Sequence, residues 1–122
     1  MLPRMQRWVE DRPYRLEAYE FVMRALDRTI RGLDEQRHVT GRELLDGIRD
    51  AAREEFGPLA KHVLNQWGVY ETTDFGQIVF DLVSQGILAK TDEDSLGDFE
   101  DGYDFGRVFE AEYYLDHPAF AD

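Results

Sequence analysis

The stretch from Thr73 to Thr91, TDFGQIVFDLVSQGILAKT, constrains the fold most, because it predicts a helix that runs directly into a strand. Its apolar residues recur at the three-and-four spacing of one helical face: Phe75, Ile78, Val79, Leu82 and Val83. Gly86 stands where a helix commonly ends on a left-handed residue. The period then changes, so we expect a strand over Ile87 to Thr91.

Two helices are predicted before this stretch on clear local signals. The first runs from about Tyr14 to Leu33, because Pro13 suits a first helical turn. Its predicted apolar face consists of Tyr19, Val22, Met23, Leu26, Ile30 and Leu33. The second begins at Thr40, since Thr40 and Glu43 have the spacing of a capping box. Its predicted inward residues are Leu44, Leu45, Ile48, Ala51, Ala52 and Phe56.

Glycines mark the ends and contacts of these helices. Gly57 and Pro58 end the second helix, and Pro58 opens a third, shorter one that stops at Gly68. Gly47 lies inside the second helix, where it predicts a close contact between two helices. The segment Thr72 to Asp74 is expected to cap the helix that follows it.

The last third of the chain predicts a hairpin. An acidic loop, DEDSLGDFEDG, separates the strand ending at Thr91 from an aromatic strand over Tyr103 to Phe109, and Asp101-Gly102 is a turn signal. We therefore expect a mostly helical α+β fold, winged-helix-like, with about four helices and a two-stranded wing. We expect a single domain over residues 1–122, with a core at 14–109, an N-terminal arm at 1–13 and a C-terminal tail at 110–122.

The net charge of −12 comes entirely from one half of the chain. Residues 1–62 carry 12 Lys plus Arg and 12 Asp plus Glu, whereas residues 63–122 carry 2 and 14. Such an acidic half repels nucleic acid and anionic lipid and attracts a basic partner. The alternative is that the charge only keeps the protein soluble.

Composition also bounds the compartment and the chemistry. The chain has no cysteine, which excludes disulfides, thiolate zinc sites and cysteine nucleophiles. No segment resembles a signal peptide or reaches the length of a membrane span, so we expect a cytoplasmic location and no membrane partner.

No catalytic, cofactor-binding or metal-binding residue is assigned, and we expect a protein that is not an enzyme and needs no cofactor. His38, His62 and His117 stand apart and outside any zinc or nucleophile motif. The segment Asp92 to Tyr103 partly resembles a calcium loop, but its twelfth position is tyrosine where a glutamate is needed.

Several motifs, in this order, resemble a small bacterial family found mainly in Planctomycetes and Verrucomicrobia. They are RHVTGRELLDGIR, FGPLAKHVLNQWG, DFGQIVF and KTDEDSLGDFEDGYDF, and they cover about Tyr14 to Phe109. Leu59 stands where that family is expected to have methionine, a volume-conserving change. The family has no assigned activity, so the resemblance implies no catalytic residue.

Two sets of charged residues are candidates for binding a partner. One is an arginine row on the first helix, Arg24, Arg28 and Arg31, which is either a docking stripe or a solvated face paired with Glu17, Glu20 and Asp27. The other is acidic: Asp92, Asp94, Asp98 and Asp101.

The leading hypothesis is a non-catalytic protein-interaction module whose acidic C-terminal face binds a basic protein surface or the arginine row of a second copy. The alternative is an acidic regulator or decoy of a nucleic-acid-binding protein. DNA binding by a winged helix is less favoured, because the helix from Thr73 has no Lys or Arg and carries Asp74 and Asp81. An enzyme would be indicated by a deep pocket lined by His38, Arg42 or Glu43.

Overall fold

A computed structural model describes residues 9–34, 39–88, 96–100 and 102–111. Four α-helices lie within these residues: α1 (Leu16–Arg31), α2 (Gly41–Phe56), α3 (Ala60–Gln66) and α4 (Thr72–Ser84). Three single turns accompany them, a 3-10 turn at Gly57–Leu59, a second at Leu96–Phe99 and a π-helical turn at Arg107–Ala111. The buried side chains of these elements form one hydrophobic core.

Helix α1 confirms the first predicted helix, and its buried side overlaps the predicted apolar face at Tyr19 and Val22. Its buried residues are Ala18, Tyr19, Phe21, Val22 and Ala25. Met23 and Leu26 are only partly buried, and Ile30 is 45% exposed. The buried side is therefore shifted toward Ala18, Phe21 and Ala25, because α1 packs against both α2 and α4 and its small alanines allow the close approach.

Helix α2 begins as the sequence predicts. The Thr40 Oγ1 accepts the Glu43 N–H at 3.1 Å, and Glu43 Oε1 accepts the Thr40 N–H at 3.0 Å. Gly47 confirms the predicted helix contact, since a Cβ built on it would lie 1.9 Å from Thr29 Oγ1 of α1. The helix ends at Gly57, whose positive φ of 57° suits glycine.

The short α3 leads into a tight crossing with the N-terminal segment. Gly68 has a φ of 89°, and a Cβ on it would lie 2.4 Å from the Pro13 carbonyl oxygen. The Arg15 N–H donates to the Trp67 carbonyl at 3.0 Å. Gly68 thus allows residues 13–15 to cross over the connection between α3 and α4.

Helix α4 is present, but a different residue caps it. The N-cap is Glu71 rather than a residue of the expected Thr72 to Asp74 cap. Glu71 and Asp74 exchange hydrogen bonds as a capping box, in which Asp74 Oδ2 accepts the Glu71 N–H at 3.1 Å. Gly86 is left-handed, with a φ of 72°, which confirms its predicted place at the end of the helix.

The expected α+β fold with a two-stranded wing is wrong, because the described residues contain no β-strand. At the first strand position, Gly86 donates to the Val83 carbonyl at 3.0 Å and Ile87 to the Leu82 carbonyl at 2.9 Å. This is a Schellman motif. The Leu88 N–H also donates to the Leu82 carbonyl, at 3.2 Å. The N–H groups of Ile87 and Leu88 are therefore bonded to the last turn of α4 instead of to a neighbouring strand. Residues 89–91 lie outside the described residues.

The second predicted strand is a helical turn. Asp104 caps it, since its Oδ1 accepts the Arg107 N–H at 2.9 Å and its carbonyl accepts the Val108 N–H at 3.0 Å. The buried residues Phe105, Val108 and Phe109 have i, i+3, i+4 spacing. The expected alternation at 103, 105 and 109 was a misread helical period. Asp101, half of the expected turn, lies outside the described residues, and the Gly102 N–H donates to Thr72 Oγ1 at 3.0 Å.

Candidate interaction surface

The arginine row of α1 is an internal link to α2. The Arg24 Nη2 donates to Glu55 Oε1 at 3.0 Å, and Arg28 pairs with Glu54. All four side chains are at the surface, where such pairs contribute about 0–1 kcal/mol each. A partner that engages Arg24 and Arg28 must first displace the carboxylates of α2.

The third arginine of the row is paired within α1 itself. The Arg31 Nε lies 3.1 Å from Asp27 Oδ2, one turn earlier. The pairing with Asp27 is the one expected for a solvated helix face. Glu17, another expected partner of the row, has its Oε1 3.9 Å from Arg15 Nε instead. All three arginines of the row are thus paired with carboxylates of the same chain.

Asp98 is the acidic candidate that the structure describes. A Cβ built on Gly41 would lie 2.7 Å from the Asp98 Cβ and 3.3 Å from its Oδ2. The Asp98 carboxylate thus lies against the first turn of α2, where the helix dipole favours a negative charge. Asp92, Asp94 and Asp101 lie outside the described residues.

Tyr103, the twelfth position of the calcium-like segment, is bonded within the protein, whereas residues 92–95 and 101 of that segment lie outside the described residues. The Tyr103 hydroxyl donates to the Leu45 carbonyl at 2.7 Å, away from any ligand role. Within the part of the chain that the structure describes, no group of three or more His, Cys, Asp or Glu side chains is placed to hold a metal ion. His62 is exposed and lies 3.2 Å from Gln66, while His38 and His117 lie outside the described residues.

A pocket lined by His38, Arg42 or Glu43 was the feature expected of an enzyme. Glu43 completes the capping box of α2, and Arg42 is exposed beside it. Glu43 is therefore a capping residue.

A buried carboxylate on α4 anchors the N-terminal part of the chain. Asp81 is only 2% exposed. The Tyr19 hydroxyl donates to its Oδ2 at 2.8 Å and Gln77 Nε2 to its Oδ1 at 3.0 Å, and Arg12 Nη1 lies 3.8 Å from Oδ1. Burial, together with the hydrogen bond to Asp81, raises the pKa of Tyr19. Both carboxylate oxygens thus accept hydrogen bonds from protein groups, which fixes α1 and α4 relative to each other.

A second tyrosine–aspartate pair lies about two turns earlier on α4. The Tyr14 hydroxyl donates to Asp74 Oδ1 at 2.7 Å, and the other oxygen of Asp74 accepts the Tyr70 N–H at 2.8 Å. Burial and this hydrogen bond raise the pKa of Tyr14. Both aspartates of α4, Asp74 and Asp81, are thus hydrogen-bonded to side chains from the N-terminal part of the chain.

The outward side of α4 has no exposed charged side chain and one large exposed apolar side chain. Phe80, next to the buried Asp81, is 53% exposed, and Val79 and Val83 beside it are partly exposed. The exposed residues of α4 are Phe80 and Ser84, neither of which is charged. We call Val79, Phe80 and Val83 the α4 ridge.

An open cleft of about 420 Å³ lies between the start of α4 and residues 102–107. Several of its polar groups already have partners: the Thr72 hydroxyl donates to the Phe99 carbonyl at 2.6 Å, and Tyr103 bonds to α2. Its remaining charged lining is mixed, with Glu71, Asp104 and Arg107. Among the described residues that line the cleft, the Thr72 and Tyr103 hydroxyls are thus already hydrogen-bonded within the protein.

The sequence interpretation missed the two tyrosine–aspartate pairs and the α4 ridge. The sequence interpretation counts Asp74 and Asp81 only as acids on a helix that would have to enter a DNA groove. A sequence signal for the alternative exists, because Tyr14 and Tyr19 lie just before α1 and in its first turn and α4 has no other charged residue. That signal does not say which tyrosine meets which acid.

Comparisons with known proteins give no relative for this chain. No family model, no curated protein and no solved structure matches it. Membership of the bacterial family that the sequence resembles stays a prediction. Among the described helices, none has the length and apolar character needed to cross a membrane.

Proposed function

We propose that this protein is a non-catalytic interaction module that binds a basic surface of another protein through its acidic C-terminal half. The observation that carries the proposal is the charge division, 2 Lys plus Arg against 14 Asp plus Glu in residues 63–122. A field of one sign speeds the encounter with a partner of the opposite sign and excludes partners of the same sign. We place this interaction in the cytoplasm.

The pairing of the arginine row favours a different protein over a second copy as the partner. In self-association, Arg24 and Arg28 of one copy would supply the positive charge, but both are paired with Glu55 and Glu54. Exchanging one carboxylate for another gains little, whereas two chains of charge −12 repel each other. A partner with unpaired Lys and Arg meets neither difficulty.

Direct binding of nucleic acid is disfavoured by the same charges. Affinity for a phosphate backbone depends on Lys and Arg. Helix α4 has none, and residues 63–122 contain only Lys90 and Arg107. A decoy that occupies the basic groove of a nucleic-acid-binding protein fits this half as a special case of the proposal.

Affinity capture from host-cell lysate with two charge variants tests the proposal. The acid-half variant combines Asp92→Asn, Asp94→Asn, Asp98→Asn and Asp101→Asn. The control variant removes the same charge from the balanced half, with Glu10→Gln, Asp11→Asn, Glu20→Gln and Asp34→Asn. We expect the wild type and the control to retain the same basic proteins, released by rising salt, and the acid-half variant to lose them.

Three results are decisive. Equal retention by both variants, or no protein retained beyond a tag-only bait, contradicts the proposal. Retained proteins that are released by added nucleic acid identify the decoy form. Thermal unfolding of each variant confirms that it is folded, which matters because Asp98 contacts the start of α2.

A further inference from the structure

We draw no further inference here: the strongest candidate, the open cleft between the start of α4 and residues 102–107, carries none, because its two carboxylates, Glu71 and Asp104, already cap α4 and the turn at Arg107–Ala111, Arg107 lines the cleft with them, and nothing in the structure shows which ligand it would take.

Discussion

At the residue scale, the close approach of α1 and α2 depends on Gly47. The site of its missing side chain is filled by Thr29, whose hydroxyl donates to the Ala25 carbonyl at 2.7 Å. Glycine inside a helix costs about 1 kcal/mol relative to alanine, so its presence here indicates a steric need that outweighs helix propensity.

Gly47→Ala is expected to destabilise the protein by about 1–3 kcal/mol, although the same change in an open helix would stabilise it. The reason is the 1.9 Å separation between the new Cβ and Thr29 Oγ1. In a Thr29→Ala background the cost should fall by more than half. Chemical denaturation of the four proteins of this cycle measures the coupling, and additive changes would contradict the contact.

The buried tyrosines predict a loss of stability in alkali. Burial raises the pKa of Tyr103, and burial with a hydrogen bond raises those of Tyr14 and Tyr19. A raised folded pKa contributes stability that is complete below the unfolded value of about 10 and is lost as the pH rises toward the folded value. We expect the free energy of unfolding to fall steeply above that pH.

Denaturation at several alkaline pH values, with tyrosinate absorbance followed in parallel, measures this loss. Tyr19→Phe should show a shallower decline than the wild type, while Tyr70→Phe should not, because Tyr70 is 64% exposed. The comparison separates tyrosine ionisation from the general increase in negative charge. Identical slopes for all three proteins would contradict the assignment.

At the element scale, the start of each helix depends on which side chain accepts its free N–H groups. Thr40 and Glu43 form a capping box with the preferred residue types, and the sequence predicted it. Glu71 and Asp74 have the same spacing but an unusual N-cap residue, so the threonines beside them were chosen instead. The three-residue spacing of a capping box is present at the start of both α2 and α4. The usual preference for Thr over Glu as the N-cap residue gave the wrong N-cap for α4.

Thr40→Ala is expected to destabilise the protein by about 1 kcal/mol, because it removes the acceptor for the Glu43 N–H. Thr73→Ala should change stability by no more than about 0.5 kcal/mol, since Thr73 is not a cap and its hydroxyl bonds only to Glu71 near the surface. Thermal or urea unfolding measures both. A larger effect at Thr73 would mean that the cap of α4 is misassigned.

At the scale of the whole molecule, we expect charge repulsion to oppose folding more than the surface ion pairs stabilise it. The net charge of −12 is concentrated in residues 63–122, whereas pairs such as Arg24 with Glu55 lie at the surface of the balanced half. Exposed pairs contribute about 0–1 kcal/mol each and are screened by salt, as is the repulsion.

We therefore expect added potassium chloride to raise the melting temperature, by several degrees for each ~1 kcal/mol of repulsion that is screened. The triple variant Asp92→Asn, Asp94→Asn, Asp101→Asn should show a smaller rise, because it carries less charge to screen. Melting curves at low and high salt provide the measurement. A melting temperature that falls with salt would mean that the ion pairs outweigh the repulsion.

The sequence predicted the helices better than the connections between them. The spacing of apolar residues and the glycines at 57, 68 and 86 placed α1 to α4 within a few residues. The wing failed because a run of aromatic residues suits both a strand and a helical turn when it is short. The helical turn is stabilised because Asp104 caps it by accepting a hydrogen bond from the Arg107 N–H. The apolar residues at 103, 105 and 109 favoured a strand and drew attention away from this cap.

The candidate site could be predicted in its charge but not in its geometry. The arginine row was found from the spacing of Arg24, Arg28 and Arg31, yet its partners Glu54 and Glu55 lie on another helix and follow only from the packing of α1 on α2. The α4 ridge was hidden for the same reason, since periodicity gives the width of an apolar stripe but not the side that its neighbours cover.

The amino-acid sequence by itself determined where the helices begin and end and how the charge divides between the two halves, because capping, glycine conformation and composition act over a few residues or none. Only the tertiary structure decided which way α4 is turned. Tyr19 and Asp81 are 62 positions apart, and their hydrogen bond, which buries the aspartate and leaves Phe80 outside, exists only once distant parts of the chain have packed together.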